Sequence, residues 1–284
     1  LKKARKPVVA GYFYPSRRQE LIDSIEWSFK HRLGPGGIPR VYPSRIKGVI
    51  GYVVPHAGYM YSGPIAAHAY YDMASYGKPE TVLIIGTNHT GLGSPISIYP
   101  GGVWETPLGV LQVDEELGKV IAEKSDLADL DVYAHLEEHS VEVQLPFIQY
   151  LFGDTVKILP LVMGIHTPEA ARELSRSIVA GITELKRDVL IIASSDFNHY
   201  EPHDVTIKKD MEAIERIINL DTEGFYQVVL RDNISICGPG GVMTLIEVAK
   251  NLGGKSQLLK HATSGDVSGD KSAVVGYASI KFHL

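Results

Sequence analysis

Three apolar runs of this chain end in a histidine: Val49-Ile-Gly-Tyr-Val-Val-Pro-His56, Val82-Leu-Ile-Ile-Gly-Thr-Asn-His89 and Val189-Leu-Ile-Ile-Ala-Ser-Ser-Asp-Phe-Asn-His199. A neutral imidazole binds metals and carries protons near neutral pH. One such residue after a strand is explained by a bond to nearby backbone. Three in the same position point to a shared pocket, because open α/β sheets bind ligands in the crevice beyond the carboxyl ends of their strands. Cys237, the single cysteine, lies in Ile234-Ser-Ile-Cys-Gly-Pro-Gly-Gly ahead of the apolar segment Val242 to Val248. Its thiol is core filler, a nucleophile, a metal ligand or an intermolecular link. A loop feeding a helix favours negative charge there, and a thiolate is the form that coordinates metal or attacks an electrophile. A buried, inert cysteine is the competing reading.

Further polar residues stand close to these four. Asp196 precedes His199 by three residues, where an acid either fixes the imidazole tautomer or closes an Asx turn. In Glu137-Glu-His-Ser-Val-Glu-Val-Gln-Leu-Pro-Phe147, Ser140 is a candidate N-cap and Pro146 limits any longer helix. A solvated acidic turn is one account of the glutamates. The other makes His139 and Glu142 supporting groups that orient a ligand or relay a proton.

Positioning these groups requires buried strands, and the β-branched runs Val49 to Val54, Thr81 to Ile85, Val156 to Val162 and Val189 to Ala193 supply them. A closing pair follows near Ser256 to Leu259 and Ala273 to Ile280. Between them, Glu20 to Phe29 and Glu169 to Ile182 carry apolar residues at helical spacing. Strands alternating with such helices indicate a three-layer α/β/α fold with a mainly parallel central sheet, and residues 1–284 read as one domain. The Pro/Gly cluster Gly34 to Pro39 sets off only the first helix.

Composition bounds the rest. With 284 residues, 44% hydrophobic and 21% charged, the chain can bury a large core, which excludes disorder and fibrous structure. A net charge of -5 argues against a nucleic-acid binder, and the basic run Lys2, Lys3, Arg5, Lys6 reads as a solvated tail. No stretch approaches the roughly 18 consecutive apolar residues of a membrane span, so the expected compartment is the cytoplasm.

The blocks Val9-Ala-Gly-Tyr-Phe-Tyr-Pro15, Pro55-His-Ala-Gly-Tyr-Met-Tyr-Ser-Gly63, Gly86-Thr-Asn-His89, Glu138-His-Ser-Val-Glu-Val-Gln-Leu-Pro-Phe147, Ser194-Ser-Asp-Phe-Asn-His199 and Ile236-Cys-Gly238 together resemble the Memo family. That family is named for mediator of ErbB-driven cell motility, and its prokaryotic members are also called AmmeMemoRadiSam system protein B. The resemblance implies a fold similar to the LigB-type, class III extradiol dioxygenases, with a metal held by His56, His89 and Cys237. His199 would face it as the acid–base histidine, with Asp196 in the same motif. Cys237 stands where those dioxygenases have a glutamate, which puts ring cleavage in doubt. Iron(II) is the first expectation through that analogy, with copper and zinc as alternatives suited to imidazole and thiolate. Three functions remain in view: a metal protein with redox or oxygen-linked chemistry, an extradiol-type dioxygenase, and a non-catalytic module that binds a peptide or partner in the same pocket. Phe13, Tyr59, Tyr61 and Tyr200 would form an aromatic rim for a small molecule or peptide, with Asn88 at its edge. The family name further implies association with an AMMECR-type protein and a radical SAM protein.

Overall fold

The apolar runs pair side by side because each is buried on both faces, as strands sandwiched between helical layers must be. The computed structural model describes residues 3–284. Among them the strands are β1 (Ala4–Arg5), β2 (Val49–Val54), β3 (Thr81–Thr87), β4 (Ile96–Ile98), β5 (Val103–Thr106), β6 (Gly109–Gln112), β7 (Ala128–Leu130), β8 (Lys157–Met163), β9 (Val189–Ser194), β10 (His199–Glu201), β11 (Lys255–Thr263) and β12 (Val274–His283). The α-helices are α1 (Arg18–Lys30), α2 (Tyr59–Ala74), α3 (Glu115–Lys124), α4 (Leu145–Phe152), α5 (Pro168–Leu185), α6 (His203–Ile218), α7 (Thr222–Arg231), α8 (Pro239–Asn251) and α9 (Ser264–Ser268).

The main sheet runs β10-β12-β2-β9-β3-β8-β4-β7, with β11 on β12. Its centre, β2-β9-β3-β8, is parallel throughout. Antiparallel pairing is confined to its flanks, at β12 and β4. Every residue of β2 and β3 is buried, so their carboxyl ends emerge together from a rigid core. Helices α1, α2 and α4 pack together, α2 lying against β2 and β12; α3, α5, α7 and α8 form a second group, α8 lying against β2, β3 and β9. Boundaries follow local chemistry: Thr167 caps α5 by accepting from the Ala170 N–H, and Pro168 occupies its first turn. Among the described residues, no helix is long and apolar enough to cross a membrane.

The N-terminal basic run corrects one expectation, although Lys2 lies outside the described residues. Arg5 is no solvated tail: it is 4% exposed, in a small sheet β1-β5-β6, with its guanidinium 4.1 Å from the Trp104 ring centre. It pairs with Glu142 at 2.7 Å and donates to the carbonyls of His135 and Glu138. The carboxylate and carbonyl oxygens around it offset the cost of burying that charge. Pro146 likewise lies in the first turn of α4, where its missing N–H costs nothing, and so opens that helix rather than limiting it.

Candidate metal centre

The loop after β2 delivers His56, the loop after β3 delivers His89, and the turn before α8 delivers Cys237. Their ligand atoms lie within 4.8 Å of one another, as do those of Asp196, His199 and Cys237, and those of His89, Glu138 and His139. All but Glu138 line one cavity of about 420 Å³, walled further by Phe13, Tyr61 and Tyr277. His199 stands on the short strand β10 beside β12 rather than in a loop directly after β9. Gly86 is needed at this end of β3: a Cβ there would fall 2.4 Å from Ser140 Oγ, and Ser140 Oγ accepts the Thr87 N–H.

Hydrogen bonds decide which nitrogen each imidazole shows the cavity. Ser194 Oγ spends its one proton on the Ser140 carbonyl and accepts from Gln144 Nε2, so it also accepts from His56 Nδ1 at 3.0 Å. The Glu138 carboxylate accepts His89 Nδ1–H at 2.8 Å, and the Ser235 carbonyl accepts His199 Nδ1–H at 2.6 Å. In its neutral form each of the three rings therefore carries its proton on the outer nitrogen and keeps an Nε2 lone pair, the arrangement by which supporting groups orient metal-bound histidines. His56 Nε2 is 3.2 Å from Cys237 Sγ, and the sulfur accepts the Asp196 N–H at 3.3 Å. Two imidazole lone pairs and a sulfur within this span fit an ion that takes nitrogen and sulfur at about 2.0–2.3 Å.

Enclosure sets the protonation states. Burial, then the neighbouring His89, pushes His56 down to about 3; burial, then His56, pushes His139 to about 4. Both rings are neutral near pH 7. Burial opposes the charge on Glu138, but the bonds from His89 and Ser140 outweigh it and hold the carboxyl at about 2. Burial also opposes a proton on His89, and the same carboxylate reverses that and raises it. The expected easy thiolate is not what the protein atoms alone create: burial, then the Asp196 charge, push the Cys237 thiol up to about 12, and burial raises Asp196 too. A cation among these groups is the charge that would favour their ionised forms.

Several residues stand elsewhere than the sequence suggested. Glu142 is 0% exposed and does not reach the cavity; it binds Arg5, the Val8 and Val9 N–H groups and the Tyr14 hydroxyl. Tyr59 is no rim residue, since its ring packs against Phe147 and its hydroxyl donates to the Val143 carbonyl. Asn88 shapes its own turn through Thr90, Gly91 and Leu92. Ser140 caps no helix, and Asp196 does not set the His199 tautomer. Its carboxylate accepts the His56 N–H at 2.8 Å instead. Phe13, Tyr61, Tyr200 and His139 do line the cavity, and the His139 and His89 rings stack at 4.6 Å. Glu138, Ser194, Gln144 and Ser235 were missed as supporting groups. For Glu138, Gln144 and Ser194 the available signal was their place inside the blocks that carry the family resemblance; Ser235 lies outside all of them.

Residues 5–281 match the family model for Memo-like proteins. The chain is 61% identical to a MEMO1 family protein of Desulfurococcus amylolyticus over 99% of this chain and 100% of that protein. It is 56% identical to a MEMO1 family protein of Ignicoccus hospitalis, with 99% of each covered. Among solved structures, an uncharacterized protein from Escherichia coli K12 shares the fold with a TM-score of 0.52 at 11% identity, over 82% of this chain and 99% of that one.

Proposed function

The chain belongs to the Memo family, and from that premise we propose that it is a metal protein with redox or oxygen-linked chemistry, its ion held by His56, His89 and Cys237. The observation that carries this reading is the pair of outward Nδ1–H bonds, from His56 to Ser194 and from His89 to Glu138, which leave both Nε2 lone pairs beside the sulfur. When bound, iron(II) would supply Lewis acidity and electron transfer; copper and zinc also suit these donors. His199 Nε2 holds or takes a proton from a ligand hydroxyl, while Phe13, Tyr61 and Tyr277 exclude water around a small ligand. Metal analysis of anaerobically purified protein tests the reading. Cys237→Ala and His56→Ala are expected to lose most of the bound ion while keeping the wild-type circular dichroism, and unchanged metal content in both removes the proposal.

A narrower reading makes the protein an extradiol-type dioxygenase, supported by the closeness of His199 to Cys237 and Asp196. Oxygen uptake by iron-loaded protein with a panel of catechols is its test, and no uptake above the metal-free control counts against it. A binding module is supported by Tyr61 and Tyr200, which line the cavity and are 42% and 76% exposed. Peptide binding that survives both Tyr61→Ala and Tyr200→Ala would exclude that rim as the contact.

A further inference from the structure

Behind His199 runs a line of hydrogen bonds that the ion site does not use. Ser235 grips this histidine twice: its Oγ accepts the His199 backbone N–H at 2.7 Å and its carbonyl accepts Nδ1–H at 2.6 Å. Asn198 in turn grips Ser235 twice, its Oδ1 accepting the Ser235 N–H at 3.0 Å and the Ser235 hydroxyl at 3.1 Å. The single hydroxyl proton of Ser235 therefore points to Asn198, which leaves Oγ free to accept from His199. Asn198 is fully buried, and its own N–H donates to Asp210 Oδ1 at 3.0 Å. Asp210 is fully buried too, with Oδ2 2.8 Å from His261 Nε2. The fit is close enough that a Cβ on Gly276 would fall 1.8 Å from that oxygen, and Gly276 pairs by backbone with Phe197 and Asn198.

We propose that Ser235, Asn198 and Asp210 are positioning residues that lock His199 in its Nδ1–H tautomer and hold its ring in register with the Cys237 loop. The inference rests on the reading of His199 as the acid–base group of the cavity. Its physical content is that adjacent residues, Asn198 and His199, clasp Ser235 from two sides, while Ser235 lies two residues before the sulfur. One residue thus links the proton-carrying ring, through its carbonyl, and the His199 backbone, through its hydroxyl, to the turn that delivers the cysteine. The ring itself is held by one carbonyl; the bond from Oγ ties the His199 backbone to the same residue, so the carbonyl and the ring it binds keep one spacing. The buried Asp210–His261 pair holds Asn198 from behind, so the anchor reaches from β11 through α6 to the cavity rim. Ser235 itself is exposed, which leaves room for an added methyl group.

The test is nitrogen NMR of histidine-labelled, chelator-treated protein at about pH 8, where an unperturbed imidazole is neutral. The His199 signal is assigned by its loss in His199→Gln. Wild type is expected to show the Nδ1–H tautomer. Ser235→Ala removes both Oγ bonds that hold the Ser235 carbonyl under Nδ1, and the weakening of that one neutral hydrogen bond is expected to shift the tautomer ratio toward Nε2–H by about five-fold. Ser235→Thr, which keeps Oγ, is expected to restore the wild-type ratio. Asn198→Ala should act as Ser235→Ala does, and the serine pair decides the matter where that buried substitution prevents folding. A wild-type ratio in Ser235→Ala, or an equal shift in Ser235→Thr, overturns the proposal. The readout needs no ion, so its failure is separate from failure of the metal-content experiment.

Discussion

Glu138 and Glu142 lie four residues apart in one acidic stretch, and both are buried, yet they serve different ends of the molecule. Glu142 turns away from the cavity and is used up by structure: one oxygen takes Arg5 and the Val8 N–H, the other takes the Val9 N–H and the Tyr14 hydroxyl. Glu138 turns toward the cavity, and one of its oxygens receives both the backbone N–H and the ring Nδ1–H of His89. The first carboxylate closes a network; the second ends one that opens on a lone pair. The two regions are joined, since the Arg5 that pairs with Glu142 also donates to the Glu138 carbonyl. A buried charge is thus no mark of a site by itself. What marks the site is a supporting bond that leaves a reactive atom unspent.

That contrast can be broken by substitution. Glu142→Ala leaves the Arg5 charge buried without its partner and is expected to cost about 3–5 kcal/mol of stability in denaturant unfolding. A loss under about 1 kcal/mol would show that the N-terminal clamp is dispensable. Glu138→Gln is expected to weaken metal affinity about 10–100-fold, measured by competition with a chelator, with a smaller loss of stability. Equal affinity in mutant and wild type would place Glu138 with Glu142 as structure only.

Acid separates the two regions further. His135, whose carbonyl takes Arg5 on the Glu142 side, is fully buried and pushed down to about 3 by burial and then by Arg5. Its ring is neutral in the folded state but titrates near 6.5 when unfolded, so its contribution is whole above pH 6.5 and falls away as pH drops toward 3. Replacing it by Gln is expected to flatten the stability profile in that window by about 1.4 kcal/mol per pH unit; an unchanged slope rejects the assignment. Glu138, held at about 2, has the same sign of effect over a lower window: its stabilisation is present above about 4.5 and is lost toward 2. The smallest change is expected from Glu137→Ala, which removes an exposed side chain of the same stretch. Unfolding should move by no more than about 0.5 kcal/mol, and a larger shift would mean that all three glutamates matter.

Much of the architecture was legible beforehand. The runs at Val49 to Val54 and Thr81 to Ile85 read as buried strands because uninterrupted β-branched sequence has one economical home, the middle of a covered parallel sheet. The recurrence of histidine after such runs was legible for the same reason, since parallel strands put all their carboxyl ends on one side. Arg5, Tyr59 and Glu142 were misread because each looks local in sequence while its partners lie far along the chain, Glu142 being 137 residues from Arg5.

By itself the sequence determined the strands at the parallel centre of the sheet and the end of that sheet beyond which His56 and His89 emerge, because periodicity and strand direction are short-range properties. Only the tertiary structure decided which ring nitrogen faces inward, which of two neighbouring glutamates supports the cavity, and that Ser235 clasps His199. Those choices depend on single hydrogen bonds between distant segments, whose strength falls away within a fraction of an ångström and a few tens of degrees, and no pattern along the chain encodes such geometry.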